Sequence, residues 1–199
     1  MKYKNYISTI AFGIMLVFTI ASCKNKFQEH TESSDKVMEL NDKNEISRGK
    51  YLVGIMGCND CHSPKRMGKH GPEIIPELLL SGYPSDRPVI NFESPLLKKG
   101  FVIFYPDLTA AAGPWGISFA GNLTPDDTGI GNWSLEQFKI AMTKGKFKGR
   151  ENARMLLPPM PWTNFSELTD KDLRAIFKYL QSINSVSNVV PPPVSPENI

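Results

Sequence analysis

Residues 56 to 63 read MGCNDCHS, and three side chains in that stretch can do chemistry: Cys58, Cys61 and His62. Two thiols three positions apart with an imidazole directly after the second admit three chemistries. They can form a redox-active dithiol, supply half of a zinc site, or attach a c-type haem through two thioethers with the histidine on the iron. The other end of the chain offers Met160, inside LLPPMPW at 156 to 162. Prolines at 158, 159 and 161 remove backbone donors and restrict φ, so the segment is stiff and can present a thioether without regular secondary structure. A six-coordinate haem takes a second axial ligand from Met or His. The chain has eight methionines, so Met155 and Met142 stand as alternatives to Met160. Met56 and Met67 lie too close to the cysteines to reach the opposite face easily.

The zinc alternative would recruit Cys58, Cys61, His62 and His70, but adjacent Cys61 and His62 suit one tetrahedral site poorly, and it leaves PPMPW unexplained. A catalytic dithiol wants a strand before the motif in a βαβ context, whereas a helical pattern precedes this one. A haem enzyme, or a small-molecule binder with a displaceable sixth ligand, is the remaining alternative. It would want acid–base residues near the iron, and the sequence has no histidine beyond position 70 and no marked carboxylate pair.

The elements that would position these groups follow from hydrophobic periodicity. Ile46, Gly49, Val53 and Met56 share one helical face leading into the cysteines; Gly49 and Gly54, costly in a helix, imply close approach by another element. A short helix is expected at about 73 to 80 and a short strand at 101 to 105. In NWSLEQFKIAMTKG, Ser134 caps, Gln137 completes a capping box, Trp133 and Phe138 form a staple and Gly145 ends the helix. In ELTDKDLRAIFKYLQSI, Thr169 caps with Asp170 and Asp172 at the positive terminus, and Leu173, Ile176, Phe177 and Leu180 follow the i, i+3, i+4, i+7 pattern. Fifteen glycines and 16 prolines among 199 residues, with 41% hydrophobic residues, leave long loops and a modest core. A covalently held porphyrin would complete it.

The N-terminus reads as an export signal: Lys2 and Lys4, then an apolar run from Ile7 to Ile20, too short for a membrane span. IASC, ending at Cys23, resembles a bacterial lipobox, in which that cysteine is lipidated. Loss of Lys2 and Lys4 lowers the formal net charge of +3 by two, which removes any case for nucleic-acid binding. Residues 24 to 44 are polar and aperiodic, a tether whose ends as a random coil lie on the order of 25 Å apart. The expected organisation is a signal peptide at 1–22, lipidated Cys23 and a flexible tether at 23–44, a domain at 45–187 and an extended tail at 188–199.

The ordered set RGKYLVGIMGCNDCH (48–62), NLTPDDTGIGNWSLEQF (122–138), LLPPMPW (156–162) and LTDKDLRAIFKYLQSI (168–183) resembles class I c-type cytochromes with one haem. The resemblance spans most of residues 45 to 184. It implies an all-α, cytochrome c-like helical domain wrapped around one covalent haem, with Cys58 and Cys61 as thioether anchors and His62 and Met160 as axial ligands. It also implies an electron carrier rather than an enzyme, with a dehydrogenase, oxidase or respiratory complex as redox partner, held by lipid on the periplasmic side of a bacterial cell envelope. By the same resemblance, Gly49 packs near Tyr179 or Phe177 where the first and last helices cross. The Pro72 carbonyl accepts from the proximal imidazole, and Asn122 and Trp133, with Trp115 of similar standing, donate to the haem propionates. The cation-rich stretch 143–154 would rim the haem crevice and steer an acidic partner. A long loop-rich insertion separates His62 from Met160, and at residues 82–121 the chain departs from the family pattern.

Overall fold

The computed structural model describes residues 38–89 and 95–199. Signal peptide and Cys23 lie outside the described residues. Compactness divides the chain at Asn44, with Glu45–Ile199 as the larger unit. Residues 38–44 are helical and exposed rather than irregular, with an i, i+4 pair between Lys43 and Glu39 at 2.7 Å. Among the described residues no helix is long and apolar enough to cross a membrane.

Within 45–199, helix α1 covers residues 45–55 and α2 is Cys58–His62. The hairpin β1 (Lys65–Gly68) and β2 (Gly71–Ile74) follows, then a 3-10 turn at Pro76–Leu78. The insertion contributes α3 (Pro95–Lys98), β3 (Ile103–Phe104), β4 (Ala110–Gly113) and β5 (Gly116–Phe119). Helices α4 (Leu135–Lys144) and α5 (Asp170–Ser182) complete the set.

The caps form where the side chains direct them. Ser134 accepts from the Gln137 amide and Thr169 from the Asp172 amide, each at 3.1 Å. Gly145 ends α4 at φ 62°. Gln137 does not close a capping box, because its Nε2 donates instead to the Lys148 carbonyl at 2.9 Å. Helix α5 buries Leu173, Ala175, Ile176 and Leu180 against Leu52 and Val53 of α1, Leu80, Ile130 and Phe138. At the α1–α5 crossing a Cβ on Gly49 would stand 2.0 Å from the Ala175 carbonyl oxygen and 2.8 Å from the Tyr179 Cβ, so the helix backbones approach as the resemblance implied. Ion pairs Arg48–Asp172 (3.0 Å) and Lys178–Glu45 (2.7 Å) flank the crossing. Gly54 has no such role: it is exposed, and among the described residues nothing lies within 4 Å of where its Cβ would be.

The all-α expectation is corrected. Among the described residues there are two small antiparallel sheets, β1–β2 and β3–β4–β5, so the architecture is mixed. The helix expected at 73–80 is instead β2 and the 3-10 turn. Pro76 sets the turn's first position, and β2 pairs with β1 from Lys65↔Ile74 to Gly68↔Gly71. β4 and β5 close around a two-residue turn at Pro114–Trp115. β4 is Ala-Ala-Ala-Gly, buried on both faces, and so lacks the β-branched alternation by which a strand is recognised.

The segment 188–199, expected as an extended tail, docks on the domain and carries a 3-10 turn at Pro196–Asn198. Val194 and Ile117 exchange both backbone hydrogen bonds, 2.9 and 3.0 Å. Buried Asn188 donates to the Ser81 and Tyr83 carbonyls (2.7 and 2.9 Å) and accepts from the Ser85 amide (2.8 Å). Beside it, Arg87 lies over the Tyr83 and Tyr105 rings, 5.1 and 4.5 Å from their centroids, and pairs with Asp107 at 2.9 Å. Burial would raise the Asp107 carboxyl, but hydrogen bonds from Arg87 and Thr109 outweigh it and hold it below the usual carboxylate range.

Candidate haem-binding site

Gly57, at φ 72°, turns the chain out of α1 so that α2 starts at Cys58. In one turn α2 carries both cysteines and the histidine. Cys58 and Cys61 are free thiols, each partly buried. Burial pushes the Cys58 thiol up to about 11 and raises Cys61 as well, with Asp60 adding to both. A nucleophilic dithiol needs a depressed pKa, the opposite of the direction in which burial moves these two thiols.

His62 is the centre of the arrangement. Its Nδ1 lies 2.7 Å from the Gly121 carbonyl oxygen. That oxygen can only accept, so Nδ1 carries the proton and Nε2 keeps its lone pair. Burial lowers the imidazole's basicity, with the Gly121 carbonyl opposing the shift. A neutral, oriented imidazole with a free Nε2 is what an iron ligand requires, and the Nδ1 hydrogen bond strengthens it as a donor.

The chain segment 80–83 holds this geometry. Gly82 donates to the His62 carbonyl at 2.8 Å, Tyr83 to the Ala120 carbonyl at 2.9 Å, and Leu123 to the Leu80 carbonyl at 2.9 Å. The Leu80 amide donates to Ser63 Oγ at 3.0 Å. Residues 62–63 and 120–123 are thus tied to one short segment between them. Gly82 sits at φ 79°, and a Cβ there would meet the Ala120 and Gly121 backbones at 2.5 to 2.7 Å.

Met160 is partly buried and packs, together with Cys58, Leu79, Leu123 and Trp133, against one buried cluster. Met142 is spent inside that cluster, and Met155 is exposed. The donor set therefore fits haem c: two protonated thiols one helical turn apart, a neutral imidazole beside them, and a thioether against the same apolar cluster as Cys58. Among the described residues no three His, Cys, Asp or Glu side chains converge as for a protein-held metal ion, and His70 is exposed in the β1–β2 turn.

Three roles implied by the resemblance are corrected. Pro72 does not accept from His62. It lies exposed in β2 opposite Met67, and the acceptor is Gly121. The Asn122 side-chain amide has no N–H to spare for a propionate. Its Nδ2 donates to Thr128 Oγ1 (3.1 Å) and the Val186 carbonyl (2.8 Å), and its Oδ1 accepts from the Thr124 amide and hydroxyl (2.9 and 2.8 Å). It is a buried knot joining the loop after β5 to the C-terminal segment. Trp115 donates to Ser118 Oγ at 3.2 Å. Trp133 remains beside the cluster, as a staple residue would. The cations of 143–154 are partly engaged locally, Lys144 with Glu151 at 2.6 Å and Arg154 over the Phe147 ring at 4.0 Å.

Cys-x-x-Cys-His on one helical turn is the arrangement by which c-type haem is attached. Known proteins agree: a cytochrome c family model matches residues 46–184, and the chain belongs to the cytochrome c family. It is 27% identical over 183 residues to the fructose dehydrogenase cytochrome subunit of Gluconobacter japonicus, covering 92% of this chain and 29% of that protein. To the cytochrome c subunit of the quinone alcohol dehydrogenase of Gluconobacter oxydans it is 39% identical over 151 residues, 75% of this chain and 22% of the relative. To the gluconate 2-dehydrogenase cytochrome c subunit of Pantoea cypripedii it is 36% identical over 135 residues, 67% and 22% respectively. The chain thus spans less than a third of the length of each of these relatives.

Proposed function

We propose that residues 45–187 form a monohaem cytochrome c domain that passes single electrons between redox partners in a bacterial cell envelope. Cys58 and Cys61 hold the haem as thioethers, His62 Nε2 is the proximal ligand and Met160 Sδ the other axial ligand. The observation that carries this reading is the 2.7 Å contact from His62 Nδ1 to the Gly121 carbonyl, which leaves Nε2 unprotonated on a partly buried histidine next to two cysteines. Bound haem supplies the one-electron couple, and methionine ligation raises its potential relative to two histidines. The chain's own residues attach and orient the group and exclude water from it.

The relatives named above are cytochrome subunits of dehydrogenases, which supports a dehydrogenase as electron donor here. The lipobox-like sequence before Cys23 supports a lipid anchor on the periplasmic side, with residues 24–44 linking it to the domain.

The test is attachment. The full chain is expressed in a host with haem-attachment machinery and run denatured. One haem per chain should stay with the polypeptide. Cys58→Ser and Cys61→Ser should each leave a single, weaker attachment with a shifted reduced spectrum, and the double variant none. Wild type losing all its haem on denaturation overturns the proposal.

A further inference from the structure

The insertion touches both sides of the proposed haem site through one strand. Three residues after Ser118 of β5, the Gly121 carbonyl meets His62 Nδ1 at 2.7 Å. Ser118 itself lies 2.6 Å from the Pro158 carbonyl, two residues before Met160. Ser118 Oγ also lies 3.3 Å from the Ala111 carbonyl. A hydroxyl has one proton, and the shorter, better contact is the one to Pro158. The Trp115 indole N–H donates to the same Oγ at 3.2 Å, which occupies a lone pair and turns the proton toward Pro158.

The methionine segment needs an outside hold. Upstream the Leu156 amide donates to the Gly145 carbonyl at 2.6 Å, but Pro158, Pro159 and Pro161 have no N–H to give, so another element must hold residues 158–161 chiefly by their carbonyls. Within the stretch, Met160 donates to the Leu157 carbonyl at a long 3.3 Å. Ser118, 9% exposed, reaches it from β5. That strand is fixed in turn by β4 along Ala110↔Phe119 to Gly113↔Gly116 and by Val194 at Ile117.

We infer that Ser118, oriented by Trp115, is a positioning residue for Met160, and that β5 braces the proximal histidine and the methionine segment against each other. This rests on the His62/Met160 reading above. The insertion thereby keeps the thioether on the iron and slows its replacement by outside ligands.

The experiment uses the full-length holoprotein and measures imidazole binding, read as loss of the weak deep-red band of methionine–iron ligation, with thermal unfolding followed in parallel. Ser118→Ala should bind imidazole about tenfold more tightly, the equivalent of one lost hydrogen bond. Ser118→Thr, which keeps a hydroxyl, should return most of the way to wild type. Trp115→Phe keeps the ring but loses the N–H, and should shift affinity the same way by less. A lower unfolding temperature with unchanged imidazole affinity in Ser118→Ala and Trp115→Phe overturns the inference, leaving Ser118 merely structural. Wild type without the deep-red band overturns the methionine ligation itself, and the inference with it.

Discussion

Gly49→Ala is expected to destabilise the protein by about 3 kcal/mol or more, although alanine is the better helix former by about 1 kcal/mol. The opposing terms differ in kind. The propensity gain is local to α1. The loss arises because the new Cβ would lie 2.0 Å from the Ala175 carbonyl oxygen and 2.8 Å from the Tyr179 Cβ. Most of that obstacle is helix backbone, which cannot rotate aside as a flexible side chain can. The helices must separate, and the buried side chains Leu52, Val53, Leu173 and Ile176 then lose contact together. Against a total stability of about 5–15 kcal/mol, the loss is a large share. For a domain of this size it corresponds to a fall of about 10 °C in unfolding temperature. Gly54→Ala is the control: among the described residues nothing stands within 4 Å of the new methyl, so it should be neutral or stabilising. Equal unfolding temperatures for the two variants would contradict the crossing.

The second large effect is expected at Gly82. Alanine there must adopt φ near 79° and meets the Ala120 and Gly121 backbones at 2.5 to 2.7 Å. The left-handed conformation alone costs about 1–2 kcal/mol, and the backbone contact adds a similar amount. The displaced group is the peptide whose carbonyl receives the His62 Nδ1 proton. Gly82→Ala should therefore change the site as well as the stability. With a weaker hydrogen bond the imidazole donates less electron density to the iron, and the reduction potential should rise. Potentiometry on the holoprotein checks this against Gly71→Ala, also at a positive φ but at the start of β2. A fall in potential, or equal shifts in both variants, would contradict the Gly121–His62 link.

What could be read in the sequence is what side chains announce. The caps at Ser134 and Thr169 and the apolar stripe of α5 depend on residue type at fixed spacing, and each stands where its pattern placed it; the crossing at Gly49 followed from the resemblance. What could not be read was carried by backbone. The acceptor for His62 is a carbonyl, which every residue has, and nothing about Gly121 marks it out. Pro72 lies near the motif in sequence but is held away by its pairing with Met67. The strand β4 escaped because alanine and glycine carry little strand signature, β5 because Gly-Ile-Ser-Phe is only four residues long, and β1–β2 because Pro72 and Pro76 suggest interruption. Asn122 reads as a donor in a loop, and only burial shows that its amide is fully used. The knot it forms with Val186, and the grip of Asn188 on residues 81–85, explain why the tail docks.

His62/Met160 ligation is tested most directly by the oxidised absorption spectrum of the wild-type holoprotein beside that of Met160→Ala. Covalent haem is expected in both, with a weak deep-red methionine–iron band in wild type and its loss in the variant. The same band persisting in Met160→Ala would place another methionine on the iron. Its absence from wild type would contradict His62/Met160 ligation outright.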